Sequence, residues 1–377
     1  MNLTGVEQLR VFLISVRDIK PNAQRIISES KNKDTLEIIN GLDFSHADIL
    51  AEYYVTLGEA YRIKKYYVKA IKCINQGIRH LKKINVIDSK LYIDLHYKLG
   101  EYSYFNGQKK KALKEFKSWA KFHFQQNQFF EDIEYYSFRP DNKHTLADLK
   151  ECKITFSDPQ TFNDPVDPLI APWFETRKLI ESNAQRREII ELEEKALSSI
   201  KIRCFICNKI IPKTEDEKKE YKNQPDSEPY KQVLMWSHYT NKHQGICIKY
   251  KFPVTYDLYK QWKEPIWLER VEYKNKFYLE NLGKAKDLSI TDAFFTKNSV
   301  WKYENETRLL FYDNKNKKKH IGLDIKEDWI SDIYFGVNCS SEYKKAVKEC
   351  LKGKNIAFHQ MKKDLNDIFT LKDGGDI

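Results

Sequence analysis

Glycine-rich phosphate-binding loops are missing from this 377-residue sequence, which contains only 13 glycines. No segment matches G-x-G-x-x-G or G-x-x-x-x-G-K-[ST], which argues against Rossmann and P-loop nucleotide sites. No apolar run approaches the roughly 20 residues of a transmembrane helix, and the amino-terminal segment lacks the features of a secretory signal. The seven cysteines, an odd number, fit reduced thiols rather than a disulfide framework. We therefore expect a soluble cytoplasmic protein with no membrane partner.

The charge of the sequence is biased, with a formal net charge of +11. A basic excess favours anionic partners such as nucleic acid or phosphate-bearing cofactors, although the solvated faces of lysine-rich helices explain it equally well. Hydrophobic residues make up 41% and aromatic residues 14% of the chain, enough to fill more than one core. At this length we expect two or three domains.

Residues 46–123 carry a self-similar pattern of small and large residues. Gly58 precedes Ala70 by 12 residues, and Gly100 precedes Ala112 by the same interval. Small residues at these points allow paired helices to approach closely, while large residues fill the grooves between pairs. The pattern resembles the tetratricopeptide repeat (TPR), although its period is about 34 residues and the two glycines here lie 42 residues apart.

This resemblance implies an all-α, TPR-like helical repeat domain over residues 1–130, in which upstream helices close the end of the stack. Apolar residues at helical spacing from Leu9 to Val16 predict the first of these helices. The groove of such a domain would hold a peptide, a protein partner or another copy of the chain. A rigid spacer explains the same pattern, and the oligomeric state stays open.

From Ile133 the period of the sequence changes from helical to alternating. Strands are predicted at 133–138, 153–157, 202–206, 245–252, 269–273, 308–312, 320–325, 331–337 and 355–359. Helices are predicted at 145–151, 172–200 and 341–352. Because these elements do not alternate strictly, residues 131–377 are expected to form an α+β, candidate catalytic domain with a mixed, mostly antiparallel sheet and flanking helices.

Two polar clusters lie early in the second domain. Tyr136 and Arg139 end a predicted strand, and an arginine there suits binding of a phosphate or carboxylate, with a surface ion pair as the alternative. The turn F-N-D-P presents Asn163 and Asp164 after the strand at 153–157. Turn chemistry alone favours a structural role for this segment.

A third cluster, M-W-S-H-Y, packs Ser237, His238 and Tyr239 together before the strand that begins at Gly245. We expect it to lie on a buried strand, where such polar groups are costly unless they are used. His238 is a candidate base or ribose contact, although a lone histidine is more often a hydrogen-bonded core residue.

A fourth cluster contains Lys297, Trp301, Glu304, Glu306 and Arg308. Two carboxylates spaced i, i+2 at a strand entry point to the same side, where they would stabilise an oxocarbenium ion or hold a sugar hydroxyl. Ion pairs with the neighbouring cations are an equally good explanation.

The short motif C-F-I-C, formed by Cys204 and Cys207, has no second C-x-x-C partner. A zinc site would need two further ligands, so buried structural cysteines are the better interpretation of this motif.

In this order the clusters resemble a bacterial family, the domain of unknown function twenty-nine seventy-one, over roughly residues 133–340. The motifs that carry the resemblance are Arg139, F-N-D-P, the Cys204–Phe205 pair, M-W-S-H-Y with the downstream G-x-C, and K-x-x-x-W-x-x-E-x-E-x-R. This family supplies no activity.

A second resemblance, to the ADP-ribosyltransferases, rests on an aromatic-flanked strand arginine and a late E-x-E that leads into a strand. It implies that Arg139 holds the phosphates of NAD, that Glu306 holds the ribose and stabilises the oxocarbenium ion, and that Glu304 orients the acceptor. Tyr239 would stack on nicotinamide. The Ser-Thr-Ser strand of many members is missing. The expected catalytic residues are Glu306, Glu304 and His238, and the expected NAD-binding residues are Arg139, Tyr239, Ser237, Tyr136, Asn163, Asp164, Lys297 and Trp301.

The leading hypothesis is therefore ADP-ribose transfer from NAD as substrate, or NAD hydrolysis, with no metal, and with the repeat domain as a recruitment or sensor module. A toxin or phage-defence role would fit this pairing. One alternative is a non-enzymatic nucleic-acid or nucleotide-binding protein that uses lysine runs at 109–111 and 317–319. Another is a metal-dependent hydrolase that uses His238, Asp164 and the glutamates, although their ligand spacing is poor.

Overall fold

The chain forms two compact units, each with its own core. We call Met1–Gln125 with Glu181–Leu197 the helical unit, and Gln126–Ile180 with Ser198–Ile377 the sheet unit. No helix within the described ranges is long and apolar enough to cross a bilayer. The computed structural model describes residues 4–42, 44–83, 85, 90–123, 133–162, 164, 166–211, 216–217, 219, 227–252, 262–264, 266–275, 290–315, 318–365 and 370–376.

The predicted fold class is confirmed, because a helical amino-terminal region precedes a mixed, mostly antiparallel sheet with helices. The predicted domain boundary at 130 and 131 lies outside the described residues. The helices of the helical unit are α1 (Gly5–Ser15), α2 (Ile19–Glu29), α3 (Lys33–Gly41), α4 (Ala47–Ile63), α5 (Tyr67–Lys83), α6 (Lys90–Phe105), α7 (Lys109–His123) and α10 (Ala184–Leu197), with a 3₁₀ turn at Phe44–His46.

Helices α4 and α5 pack on each other, as do α6 and α7. Glycine marks the close approach in both pairs. A Cβ atom on Gly58 would lie 3.0 Å from Ile74 Cδ1, and one on Gly100 would lie 2.8 Å from the ring of Phe116. The small residues of the repeated pattern therefore lie where one helix meets its partner.

The helix predicted at 172–200 is wrong as a single element. It is divided into α9 (Ile170–Ile180) and α10, and Asn183 caps the start of the second helix. The Asn183 Oδ1 atom accepts a hydrogen bond from the backbone N–H of Arg186 at 3.1 Å, which is the hydrogen bond expected of an N-cap residue. Helix α10 then packs against α7 as part of the helical unit.

The strands of the sheet unit are β1 (Tyr135–Arg139), β2 (Lys153–Ser157), β3 (Ile200–Cys207), β4 (Ile246–Tyr250), β5 (Ile266–Arg270), β6 (Glu272–Lys274), β7 (Thr296–Asn298), β8 (Glu306–Tyr312), β9 (His320–Asp324), β10 (Ile330–Phe335), β11 (Ala357–Lys363) and β12 (Leu371–Asp376). Most of them form one large sheet in the order β12-β11-β10-β4-β1-β3-β2-β9, with β8 paired to both β3 and β5. Within that sheet β10 and β11 are parallel and the other described pairs are antiparallel. Strands β6 and β7 form a separate parallel pair.

Every predicted strand has a counterpart, but the prediction at 269–273 merges β5 with β6, and β7 and β12 were not predicted. The sequence of β12, L-K-D-G-G-D, shows no apolar alternation and gives no strand signal. The remaining helices of this unit are α8 (Lys143–Lys150), α9, α11 (Val233–Tyr239), α12 (Ile290–Phe295) and α13 (Ser341–Cys350).

The two faces of the sheet bury different cores. Along β1, Tyr135 enters the larger cluster, whereas Tyr136 and Phe138 enter a smaller one with Trp236 of α11. Successive side chains of a strand point to opposite faces, so the alternation expected from the sequence accounts for this division. The second face is the one on which the candidate site opens.

Candidate active site at a gap in the sheet

The site lies where three neighbouring strands fail to pair along their full length. Strand β3 meets β1 only near Tyr136 and Ile206, and it meets β2 only at Ser157 and Ile202. Its other edge pairs with β8 over residues 200–206. Between Ile202 and Ile206, the edge of β3 that faces β1 and β2 therefore has no strand partner in the described part of the chain.

A pocket of about 540 Å³ enters this gap, a volume ordinary for a small-molecule site. Its walls combine aromatic and apolar side chains with charged and hydroxyl groups, as ligand sites usually do. The described lining residues are Tyr136, Ser137, Phe138, Thr155, Ser157, Phe162, Asp164, Asp167, Ile202, Arg203, Cys204, Phe205, Ile206, Met235, Tyr239, Lys297, Trp301, Glu304 and Glu306.

Three carboxylates of this pocket converge on one ammonium group. The Nζ atom of Lys297 lies 2.6 Å from Glu304, 3.0 Å from Glu306 and 3.1 Å from Asp167. All four side chains are buried. Such a group of ions is tolerated in a protein interior only when each charge is paired and hydrogen-bonded.

Local backbone geometry brings the two glutamates together. Glu304 ends a 3₁₀ helix and Glu306 begins β8, while Asn305 between them is left-handed with φ of 42°. Asparagine tolerates this conformation better than most residues. The turn aims two carboxylates, two positions apart in the chain, at the same lysine.

Arg308 supplies the second cation of the cluster. Its Nε donates to Glu306 at 2.7 Å, its Nη2 donates to Asp167 at 2.5 Å, and its Nη1 donates to the Phe294 carbonyl oxygen at 2.6 Å. The ion pairs offered as an alternative from the sequence are therefore present. Burial alone would raise the pKa of Glu306, but Arg308 and Lys297 outweigh it and lower that pKa to about 2.

The pKa of Glu304 is shifted in the opposite direction. Burial raises the pKa of Glu304, and this effect prevails over the neighbouring Lys297 and over the hydrogen bond from Tyr239. The Tyr239 hydroxyl donates to Glu304 Oε1 at 2.6 Å. Three carboxylates face two cations here, so the cluster carries a net negative charge when all three carboxylates are ionised. Glu306 is thus fixed as an anion, whereas Glu304 is the carboxyl suited to exchange a proton.

The structure brings together seven of the residues predicted for the site and separates others from it. Lining the pocket are Glu304, Glu306, Tyr239, Lys297, Trp301, Tyr136 and Asp164. Asn163 lies outside the described residues.

Arg139, Ser237 and His238 are not among the described lining residues. Arg139 Nη2 donates to Asp148 at 2.8 Å, so its guanidinium is already paired with a carboxylate. Ser237 donates to the Val233 carbonyl oxygen within its own helix at 3.1 Å.

The segment containing Ser237 and His238 is the helix α11, so its assignment to a buried strand is wrong. The chain turns back after Tyr239 through residues 241–243, each with positive φ, and only then enters β4. On this helix His238 is exposed. Its ring centroid lies 6.3 Å from that of Trp301, beside the pocket residues rather than among them.

Sequence reasoning missed two charged residues of the pocket. Asp167 follows the F-N-D-P turn in a second D-P pair, which was a usable signal. Arg203 lies in a strand that is apolar apart from Lys201 and its cysteines, and a charge at such a position is informative because it needs a partner.

No group of three or more His, Cys, Asp or Glu side chains that could hold a metal ion occurs in the described ranges. Among the pocket carboxylates the central position is taken by Lys297 Nζ. Cys204 and Cys207 are free thiols, and burial raises the pKa of each.

Comparison with known families locates a similarity within this unit. Residues 235–309 match the model of a family described as "Protein of unknown function (DUF2971)". This segment contains the third and fourth clusters, so the expected resemblance is confirmed there and not over the whole of 133–340. No curated protein and no solved structure matches the chain. The tetratricopeptide and ADP-ribosyltransferase resemblances stay predictions.

Proposed function

We propose that the sheet unit is an enzyme that cleaves the glycosidic bond of NAD or a similar nucleotide and passes ADP-ribose to an acceptor or to water. The observation that carries this proposal is the pair of pocket carboxylates whose pKa values shift in opposite directions, Glu304 upward and Glu306 downward. Environments that separate two carboxyl pKa values are the usual basis of acid–base division of labour in active sites.

The division of roles follows from the contacts. Glu306 remains ionised, and the cluster of Asp167, Glu304 and Glu306 holds more carboxylates than cations, which favours a positive charge developing on a bound ribose. Glu304 then accepts the proton of the attacking hydroxyl or water as the new bond forms at the sugar carbon. Nicotinamide leaves as a neutral molecule, so the charges balance.

Aromatic groups support a ligand that carries flat rings. Tyr239 and Trp301 line the pocket beside the carboxylates, and the Lys297 Nζ atom lies 5.2 Å from the centroid of the Trp301 ring. Aromatic rings of this kind stack on heterocycles such as nicotinamide or adenine. A hydrolase that depends on a metal is less well supported, because Lys297 occupies the space between the carboxylates.

For the helical unit we propose recruitment of a protein or peptide acceptor, or sensing of a trigger, in keeping with its resemblance to repeat proteins. A toxin or phage-defence role belongs to this same proposal. A non-catalytic nucleotide-binding protein is the second candidate, favoured by the cationic residues Arg203 and Lys297 in the pocket.

The test is nicotinamide release from NAD by the purified full-length chain. Replacement Glu304→Gln removes the proton acceptor but keeps the hydrogen bond from Tyr239, and we expect a loss of roughly 100-fold or more in rate. Glu342→Gln, on the exposed start of α13, is the matched control and should keep full activity. Release that is absent in the wild type, or equal in the Glu304→Gln variant, contradicts the proposal. Binding of NAD without release would support the second candidate.

A further inference from the structure

The floor of the pocket contains a cation, Arg203, whose hydrogen-bonding capacity is only partly used by the described residues. Arg203 Nη2 donates to Ser137 Oγ, which spans the gap between β3 and β1. Its Nε atom is buried and has no hydrogen-bond partner among the described residues. A buried guanidinium donor without an acceptor is unfavourable, so this atom is suited to an acceptor group on a bound ligand.

The charges around Arg203 leave a positive excess. Arg139 lies close enough for its charge to act on Arg203, and Asp148 is the carboxylate they share. Asp148 already accepts from Arg139 at 2.8 Å and from the Thr155 hydroxyl at 2.8 Å. Burial and the nearby Arg139 lower the pKa of Arg203 to about 10, which still leaves it charged at neutral pH.

Arg203 and the glutamate cluster lie on opposite faces of the same strand. Cys204 on β3 interacts with Glu306, and its neighbour Arg203 points to the other face, towards Ser137. Both residues border the pocket because the strands are open at this point. Arg203 therefore lines the pocket from one face of β3, and the carboxylate cluster lines it from the other face.

We propose that Arg203, with the hydroxyl groups of Ser137 and Thr155, forms an oxyanion subsite that binds the phosphate groups of the pocket's ligand. Resting on the proposed function, this assigns the pyrophosphate of the nucleotide to Arg203, whereas the sequence had suggested Arg139. Guanidinium groups bind phosphate oxygens through charge-assisted hydrogen bonds, about twice as strong as neutral ones. A phosphate at the floor leaves the attached ribose beside Glu304 and Glu306.

The experiment is calorimetric titration of the full-length chain with ADP-ribose and, separately, with inorganic pyrophosphate. Arg203→Gln should weaken both by at least tenfold, as the loss of charged hydrogen bonds predicts. Arg203→Lys keeps the charge and should bind with intermediate affinity. Lys345→Gln, an exposed lysine on α13, is the control and should bind both ligands as the wild type does.

Folding of each variant is checked by thermal unfolding without ligand, and if Arg203→Gln does not fold, Arg203→Lys and Ser137→Ala carry the test. The subsite is overturned if the wild type binds neither pyrophosphate nor ADP-ribose. It is also overturned if the Arg203 variants bind both ligands as tightly as the wild type does. An equal loss of affinity for nicotinamide riboside, which has no phosphate, would also overturn it.

If pyrophosphate binding depends on Arg203 but NAD is not cleaved, the subsite stands and the proposed enzyme function fails. If NAD cleavage depends on Glu304 but not on Arg203, the proposed enzyme function stands and the subsite fails.

Discussion

At the scale of single residues, the ion cluster around Lys297 has both a structural and a functional consequence. Each charge in it has a partner, yet removing ions from water costs several kcal/mol apiece, so the cluster is weak evidence for stability. What it fixes is geometry, since Glu304 and Glu306 both accept a hydrogen bond from the same ammonium group. A rigid pair of carboxylates is what a glycosidic cleavage would require.

The lowered pKa of Glu306 predicts an acid-dependent loss of stability. Its pKa falls from an ordinary 4.5 to about 2 on folding, so the ionised form is favoured in the folded state. The stabilisation is complete above pH 4.5 and is lost as the pH falls towards 2. Its size is on the order of a few kcal/mol.

Denaturant unfolding measured from pH 6 to pH 2 checks this point. The free energy of unfolding should fall more steeply with acid in the wild type than in Glu306→Gln, which has no proton to gain at this site. Glu342→Gln, which alters an exposed carboxyl, should follow the wild type. Identical slopes for the wild type and Glu306→Gln would mean that the cluster does not hold this carboxylate as an anion.

At the scale of elements, helix packing in the helical unit depends on the absence of side chains at two crossings. The Gly100→Ala substitution places a methyl group 2.8 Å from the Phe116 ring, which is itself fully buried. Crowding of a packed interior by an extra methyl group usually destabilises by about 1–3 kcal/mol. We expect a loss in this range for Gly100→Ala.

The Gly41→Ala variant is the matched control, because no heavy atom lies within 4 Å of the added Cβ at that helix end. There the change should be neutral or slightly stabilising, since alanine favours helix more than glycine does. Thermal or chemical denaturation of both variants makes the comparison. If Gly100→Ala is as stable as Gly41→Ala, the interface between α6 and α7 is looser than the structure indicates.

At the scale of the whole molecule, helix α10 connects the two units along the chain. It belongs to the helical unit, where Arg186 pairs with the buried carboxylate of Glu101 and Tyr97 donates to Glu193 at 2.7 Å. Only Ser198 and Ser199 separate it from β3, the strand that carries Arg203. We therefore expect a change in how α10 is held to affect the start of β3 through the backbone that joins them.

Hydrogen exchange tests this connection. Arg186→Ala leaves Glu101 buried without its cation, so α10 should open more often and its amides should exchange faster. We expect the acceleration to extend to the first residues of β3, at 200–203, and not to β10. Arg187→Ala, which removes a 3.5 Å hydrogen bond to the Ser182 carbonyl oxygen, is the control. Exchange in β3 that stays at the wild-type rate while α10 accelerates would mean that the strand is independent of the helix.

The sequence by itself determined the features that depend on short-range periodicity. Apolar residues at helical spacing predicted the helical region, and alternation predicted β1 to β5 and β8 to β11 near their observed positions. The break between β5 and β6 and the strands β7 and β12 were not predicted. The convergence of Glu304 and Glu306 was also predicted, although the cause is the left-handed Asn305 rather than a strand. These features arise from neighbouring residues, so a local pattern is sufficient to reveal them.

Only the tertiary structure decided which charged groups reach the pocket. Arg139 pairs with Asp148, and Arg203 and Asp167 take places in the pocket that the sequence prediction had not assigned to them. The division of 172–200 into two helices in different units, and the helical form of 233–239, were settled in the same way. The physical reason is that the gap between β1, β2 and β3 depends on pairing between distant segments, whose register a linear pattern does not contain.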